Sequence, residues 1–167
     1  AVRPYLFALY AFFAETARIP DLVSEPTLGE IRLQWWRDII EGQSQDHPIA
    51  LALHETINAF HLPRNALLAL LDARVQDLYD DPLPTVTDLE GYAGETQSTL
   101  IRLASFILCE GKDPGGADAA GHAGVALARE RQRLRIARHD HVAAQHQIGA
   151  AGRDADGLDG LGRPAEA

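Results

Sequence analysis

The chain has 167 residues, 46% of them hydrophobic, and a formal net charge of −9, which predicts an acidic globular domain with a sizeable core. The acidic balance argues against nucleic acid as a partner, because phosphate binding requires clustered lysine and arginine. A lone cysteine, Cys109, excludes an intrachain disulfide, and there is no evident signal peptide or apolar run of about 18 residues, so we expect a cytoplasmic protein without a transmembrane segment.

The first predicted helix covers 4–19. Its apolar residues recur at intervals of three and four from Leu6 to Ala17. Pro4 suits a first helical turn, and Pro20 ends the pattern.

A second helix is predicted to begin at a T-x-x-E capping box formed by Thr27 and Glu30. Its apolar stripe is predicted to consist of Leu28, Ile31, Trp35 and Ile39. Gly42 follows as a C-terminal cap.

The remaining elements are also helical. Two helices and a loop are predicted over 48–60, 63–79 and 80–85. Thr87 and Glu90 predict another capping box, which opens a helix extending to about Leu108. A last helix, rich in small residues, is predicted over 117–128, with Ala120, Ala123 and Leu127 on one face. No segment shows sustained period-2 alternation, so the sequence predicts an all-α class.

The amino-acid composition changes after residue 128. Residues 129–167 hold few large apolar side chains and end in a stretch rich in Gly, Ala, Asp and Arg. We therefore expect an atypical tail, either frameshifted or disordered, after the N-terminal part of a helical domain. The lack of methionine adds the expectation that the chain is not a complete natural product. His139, His141 and His146 could hold a metal, but His-x-His alone is a weak signal.

The stretch 9–36 contains a recognisable motif. Its Tyr10, Ala11, Phe12 and Asp21 match the pattern Tyr-Ala-Phe-x-Arg-x-x-Asp-Asp-x-x-Asp. This pattern resembles the first signature of the squalene/phytoene synthase family, which joins two prenyl diphosphates head to head.

The same stretch departs from the pattern where the family places its charged ligands. Ala14 replaces the arginine, and Ala17 and Arg18 replace the paired aspartates. Acids at i and i+4 on one helix face would together hold Mg²⁺ and diphosphate. The resemblance therefore implies a degenerate Asp-rich motif.

The middle of the chain resembles the family as well. Residues 71–78, followed by 88–92, match its acid-bearing helix, turn and Tyr-bearing helix. After Tyr92, the family's small pair is replaced by Gln97 and Ser98.

These departures are similar to one branch of the family, the branch that includes the mitochondrial assembly factor for respiratory complex I and its bacterial relatives. The segments that carry this likeness are Ala-Phe-x-x-Glu at 11–15, Asp-x-Val-Ser-Glu at 21–25, Gln-x-Trp at 34–36 and Tyr-Ala-x-x-Thr-Gln-Ser at 92–98.

The resemblance implies a partial isoprenoid-synthase-like helical domain and a set of site residues. The substrate-cavity candidates are Tyr10, Ala14, Ala17, Tyr92 and Gln97. Arg18 could meet diphosphate as a bidentate donor. Asp21 is a metal candidate, and its alternative role is that of a helix-terminal or capping acid. Asp77 is a second metal candidate, and its alternative place is on a solvated helix face.

From these features we expect a non-catalytic relative that acts as an assembly factor or binds a lipid or prenyl chain, with no cofactor. The alternative is a Mg-dependent head-to-head prenyl diphosphate transferase, which requires a complete C-terminal half. A protein partner, peripheral membrane association and self-association through open apolar faces are further expectations.

Overall fold

A computed structural model describes residues 1–43, 46–79, 83–116 and 119–130, which contain helices and turns but no strand. The predicted all-α class is therefore confirmed. The helices are α1 (Arg3–Ala17), α2 (Pro26–Glu41), α3 (Pro48–Phe60), α4 (Arg64–Val75), α5 (Val86–Ala93), α6 (Thr99–Leu108) and α7 (119–130). Two 3-10 turns lie at Ile19–Leu22 and Gln76–Leu78, and a π-helical segment spans Gly94–Ser98. Of the predicted tail, only 129–130 belong to the described residues.

The core lies where five helices meet. α1 packs against α3 and α6, α2 packs against α4, and α1 also touches α4. The side chains that fill this space and are at most 1% exposed include Leu9, Phe12, Leu33, Ile40, Leu53, Leu67, Leu71 and Ile107. Contacts of this kind hold Ala1–Ala128 together as one compact unit.

The start of α1 agrees with the sequence prediction, but its end does not. Pro4 lies in the first turn as expected. The helix ends at Ala17, and Pro20 belongs to the 3-10 turn that follows. This turn redirects the chain into α2.

The predicted apolar stripe of α2 is wrong in its first two residues, whereas Ile39 is buried as predicted and Trp35 packs partly buried against the core. Leu28 and Ile31 are 48% and 62% exposed. The buried stripe instead contains Gly29, Leu33, Trp36, Ile39 and Ile40. Gly29 faces inward, and the side chain of Leu78 fills the space that a Cβ would need: a Cβ built on Gly29 would lie 2.3 Å from Leu78 Cδ2. Sequence periodicity gives a glycine no apolar weight, so this contact was not predictable from the pattern.

Both predicted capping boxes are misplaced. α2 begins at Pro26 without a side-chain cap, and Glu30 instead accepts a 2.6 Å hydrogen bond from the phenol of Tyr79. This bond raises the pKa of Tyr79 above its ordinary value, because the carboxylate stabilises the protonated phenol. The real capping box of α5 joins Thr85 and Asp88 through two 3.1 Å hydrogen bonds.

The predicted long helix is interrupted by the π-helical segment. Within it the hydroxyl of Thr96 donates to the carbonyl of Tyr92 at 2.7 Å, and just after it Thr99 donates to Gly94 at 3.1 Å. Such back-bonding by hydroxyls bends and loosens a helix. The wider turn places three consecutive polar residues in the interior: Thr96, Gln97 and Ser98.

α7 lies directly against the π-helical segment. The Ser98 hydroxyl donates to the Gly121 carbonyl at 3.2 Å. A Cβ on Gly124 would lie 2.0 Å from the Ser98 Oγ and 2.5 Å from its backbone nitrogen. Gly124 and Ala128 are buried, whereas Leu127 is 50% exposed, so the side of this helix that packs is not the predicted face of Ala120, Ala123 and Leu127.

We expect Gly124→Ala to lower the free energy of unfolding by about 1–3 kcal/mol, because the added methyl group collides with backbone atoms that cannot rotate away. Urea denaturation of the 167-residue chain measures this change. Gly121→Ala is the matched control on the same helix, since a Cβ there meets open space. The control should be neutral or stabilising by up to about 1 kcal/mol. Equal stability of the two variants would contradict the close packing.

Candidate functional site

The candidate residues of α1 lie on its outward side. Tyr10 is 49% exposed, Ala14 is exposed and Ala17 is half-buried. Phe7 continues the same stripe one turn earlier and is 60% exposed. The opposite side of α1, which includes Phe12, carries the core contacts. α1 therefore keeps the packing side of the signature helix and presents an apolar, uncharged stripe on the other side.

The positions that would hold metal or diphosphate do not form an acidic site. Arg18 is exposed and lies 3.6 Å from Glu15, one turn earlier. Asp21 is exposed in the 3-10 turn after α1. That turn packs against the one that contains Asp77. Across the described ranges, however, no group of three His, Cys, Asp or Glu side chains is arranged to hold a metal ion.

Two predicted site residues meet in a polar cluster that also contains Arg74. The Tyr92 hydroxyl lies 2.8 and 3.0 Å from the two carboxylate oxygens of Asp77. The Nη1 of Arg74 lies 3.0 Å from Asp77 Oδ2 and 2.7 Å from the Tyr92 oxygen. The ring of Phe13 covers the guanidinium, with 4.7 Å between the Arg74 Cζ and the ring centroid. We call Arg74, Asp77 and Tyr92 the polar triad.

The polar triad joins three elements of the fold. Arg74 ends the buried stripe of α4, Asp77 lies in the turn after it, and Tyr92 is near the end of α5. An i, i+3 spacing places Arg74 and Asp77 on the same side of the helix end. Their side chains are 3% and 14% exposed, so the predicted solvated-face alternative for Asp77 does not describe its position. Asp72, by contrast, is 63% exposed and pairs with Arg37.

Sequence reasoning did not select Arg74, although a signal was present. Arg74 lies three residues after Leu71 and seven after Leu67, which places it on the apolar side of α4. An arginine at such a position must find an acidic or hydroxyl partner, because a buried charge is costly without one. Asp77 at i+3 was the visible partner.

Gln97 occupies a different part of the site. It is 6% exposed within the π-helical segment, where the widened turn brings it into the interior. π-helical turns of this kind are frequent at functional sites. The structure thus places Tyr92 just before the π-helical segment and Gln97 near the end of that segment. Tyr10 and Ala14 lie on α1, and no described contact connects them with the triad.

A separate groove lies between α2 and α3. It has a volume of about 620 Å³, and its lining includes Ile39, Leu51, His54 and Asn58. None of the predicted site residues lines it. The groove is open to solvent and holds no concentration of acids, so it does not resemble a metal-dependent active site.

The comparisons with known proteins agree with the helical architecture. The family model described as squalene/phytoene synthase matches residues 1–144, which includes the first part, 129–144, of the expected atypical tail. "NADH dehydrogenase (ubiquinone) complex I, assembly factor 6" from Bos taurus is 37% identical over 128 residues, or 74% of this chain and 38% of the relative. The protein of the same description from Homo sapiens is 36% identical over the same shares. The one from Rattus norvegicus is 37% identical over 123 residues.

The chain therefore spans only 38% of the length of the curated relatives it matches. No solved structure gives a significant match. Within the residues that the structure describes, no helix is both long enough and apolar enough to cross a membrane. The family model covers more than half of the chain. The chain belongs to the squalene/phytoene synthase family.

Proposed function

We propose that this protein is a non-catalytic member of its family and serves as an assembly factor for a respiratory NADH dehydrogenase. The observation that carries the proposal is the set of side chains at the degenerate motif of α1. Ala14, Ala17 and Arg18 stand where the family pattern has charged ligands. The likeness to proteins described as complex I assembly factor 6 supports the same function.

The chemistry of the donor set argues against metal-dependent prenyl transfer. Mg²⁺ requires near-octahedral oxygen coordination, in which one or two carboxylates act together with substrate phosphates. Asp77 is already engaged with Arg74 and Tyr92, and Asp21 faces solvent beside the turn. Arg18 adds a positive charge in this neighbourhood. The described residues therefore do not fit Mg²⁺.

A non-catalytic role uses the retained shape of the fold instead. The outward stripe of α1 is apolar and partly aromatic, and it offers a surface to a protein partner or to a lipid or prenyl chain. A cytoplasmic location, with peripheral association at the membrane that holds the NADH dehydrogenase, follows from this role. Self-association through the same stripe is a competing use of that surface.

The test is genetic complementation in the host organism. Deleting the full-length gene should lower NADH:ubiquinone oxidoreductase activity and the amount of assembled complex. A copy with Asp21→Ala should restore both, because no carboxylate chemistry is required at that position. Normal complex levels in the deletion strain would contradict the proposal.

The packing of the two 3-10 turns favours one alternative function. Because the turns of Asp21 and Asp77 touch, a rearranged metal site is the remaining route to prenyl transfer. Full-length protein incubated with farnesyl or geranylgeranyl diphosphate and Mg²⁺ should give no product. Turnover that disappears in Asp21→Ala would establish the transferase instead.

A further inference from the structure

The Arg74 side chain has donors that the polar triad does not use. Its side chain is 3% exposed, and Nη1 makes both of the observed hydrogen bonds. Nε and Nη2 are completely buried and have no hydrogen-bond partner. They are the only such side-chain atoms among the residues that the structure describes.

The two unused donors belong to one edge of the guanidinium. Nη1 is cis to Cδ, so the N–H groups of Nε and Nη2 point in nearly parallel directions on the opposite side. This edge is the one that binds two oxygens of a carboxylate or phosphate at once. The two free donors, Nε and Nη2, can therefore bind two oxygens of the same acceptor group at once.

The surroundings hold this edge in a fixed orientation. Phe13 covers the guanidinium face, and Asp77 and Tyr92 hold Nη1. A buried donor without a partner costs about 1–3 kcal/mol, and more when it is charged. Native structures accept that cost where the group has a further role, such as binding a ligand, ion or water.

We propose that the Nε/Nη2 edge of Arg74 binds a singly charged two-oxygen group, a carboxylate or a phosphate. Asp77 already balances the guanidinium charge, which favours a monoanion over a group of higher charge. Asp77 and the half-buried Tyr92 occupy the Nη1 side of the guanidinium and leave the Nε/Nη2 edge to the anion. Of α1 the site uses only Phe13, and it does not depend on the proposed assembly function.

The probe is the resonance of the Arg74 side-chain Nε–H in a ¹⁵N-labelled 167-residue chain. Sodium phosphate and sodium octanoate are titrated separately, with sodium chloride at matched ionic strength as the blank. We expect one of the two to shift this resonance saturably. Phosphate alone identifies a phosphate site, and octanoate alone identifies a carboxylate site.

Arg74→Lys keeps the charge but removes the two-donor edge, and should weaken binding by about tenfold or more as measured by calorimetry. Arg102→Lys, at an exposed position of α6, is the matched control and should leave the affinity unchanged. Should Arg74→Lys fail to fold, the wild-type titration decides alone. If neither anion shifts the Nε–H resonance, as expected when an internal water occupies this place, the proposal is overturned. Affinity that survives in Arg74→Lys also overturns it.

Discussion

Replacing Phe12 by alanine should lower the free energy of unfolding by about 3–5 kcal/mol, one of the two largest effects that we expect from a single change in this chain. Phe12 is 0% exposed at the centre of the packing side of α1. Its ring meets Trp36 of α2 edge to face, with the centroids 5.2 Å apart. The substitution therefore removes a whole ring from the interior and leaves a cavity between two helices.

The magnitude follows from two contributions. Burying an aromatic side chain contributes about 1.5–3 kcal/mol relative to leaving it in water. The loss of the edge-to-face contact and the unfilled cavity add to this. The neighbours of Trp36, namely Trp35 and His47, hold its ring in place and limit how far the site can collapse.

Phe7→Ala is the matched control for Phe12→Ala. Both residues lie on α1, but Phe7 is 60% exposed, and the Arg3 Cζ lies over its ring at 5.2 Å from the centroid. The control should cost no more than about 1 kcal/mol. Urea denaturation followed by circular dichroism measures both. Similar losses for the two variants would show that the packing side of α1 is wrongly assigned.

Local sequence signals predict the fold well where helix ends depend on neighbouring residues. α3 was predicted over 48–60 and is observed over Pro48–Phe60. Pro48 supplies a first-turn residue, and His61 ends the helix in a left-handed conformation with φ of 51°. Both signals lie within a few residues of the helix itself. Gly42 at the end of α2 is a similar case, with φ of 116°.

Long-range contacts explain the errors. Gly29 is on the buried side of α2, where the side chain of Leu78, nearly fifty positions away in sequence, packs against it. In α7 the inward position is taken by Gly124, because only a glycine can approach Ser98 so closely. A periodicity count favours large apolar residues and cannot register the absence of a side chain as a reason for burial.

The candidate site was predictable in part. The resemblance led to Asp77 and Tyr92, which the structure places in direct contact. The partner that organises them, Arg74, was passed over because an arginine on a helix is exposed in most proteins. The π-helical turn that buries Gln97 is accompanied by hydroxyl back-bonding and by close packing of α7. Neither feature changes the apolar periodicity of the sequence, so the turn was not predictable from that pattern.

Asp77→Ala should destabilise the chain by about 3 kcal/mol, because it leaves the buried guanidinium of Arg74 without its counter-charge. The Tyr92 hydroxyl would lose both carboxylate contacts at the same time. Asp72→Ala is the matched control on α4, since its pair with Arg37 is exposed and should be worth no more than about 1 kcal/mol. Urea denaturation of both variants measures the difference.

A double variant separates the loss of the ion pair from the loss of packing. Replacing both partners, as Arg74→Met with Asp77→Leu, removes the charge together with its counter-charge. A buried pair replaced by apolar residues of similar volume is often neutral or stabilising. The double variant should therefore recover most of the stability that Asp77→Ala loses. Two results would contradict this explanation: Asp77→Ala costs no more stability than Asp72→Ala, or the double variant is less stable than Asp77→Ala. Either would show that Asp77 does not stabilise the fold by compensating the buried charge of Arg74.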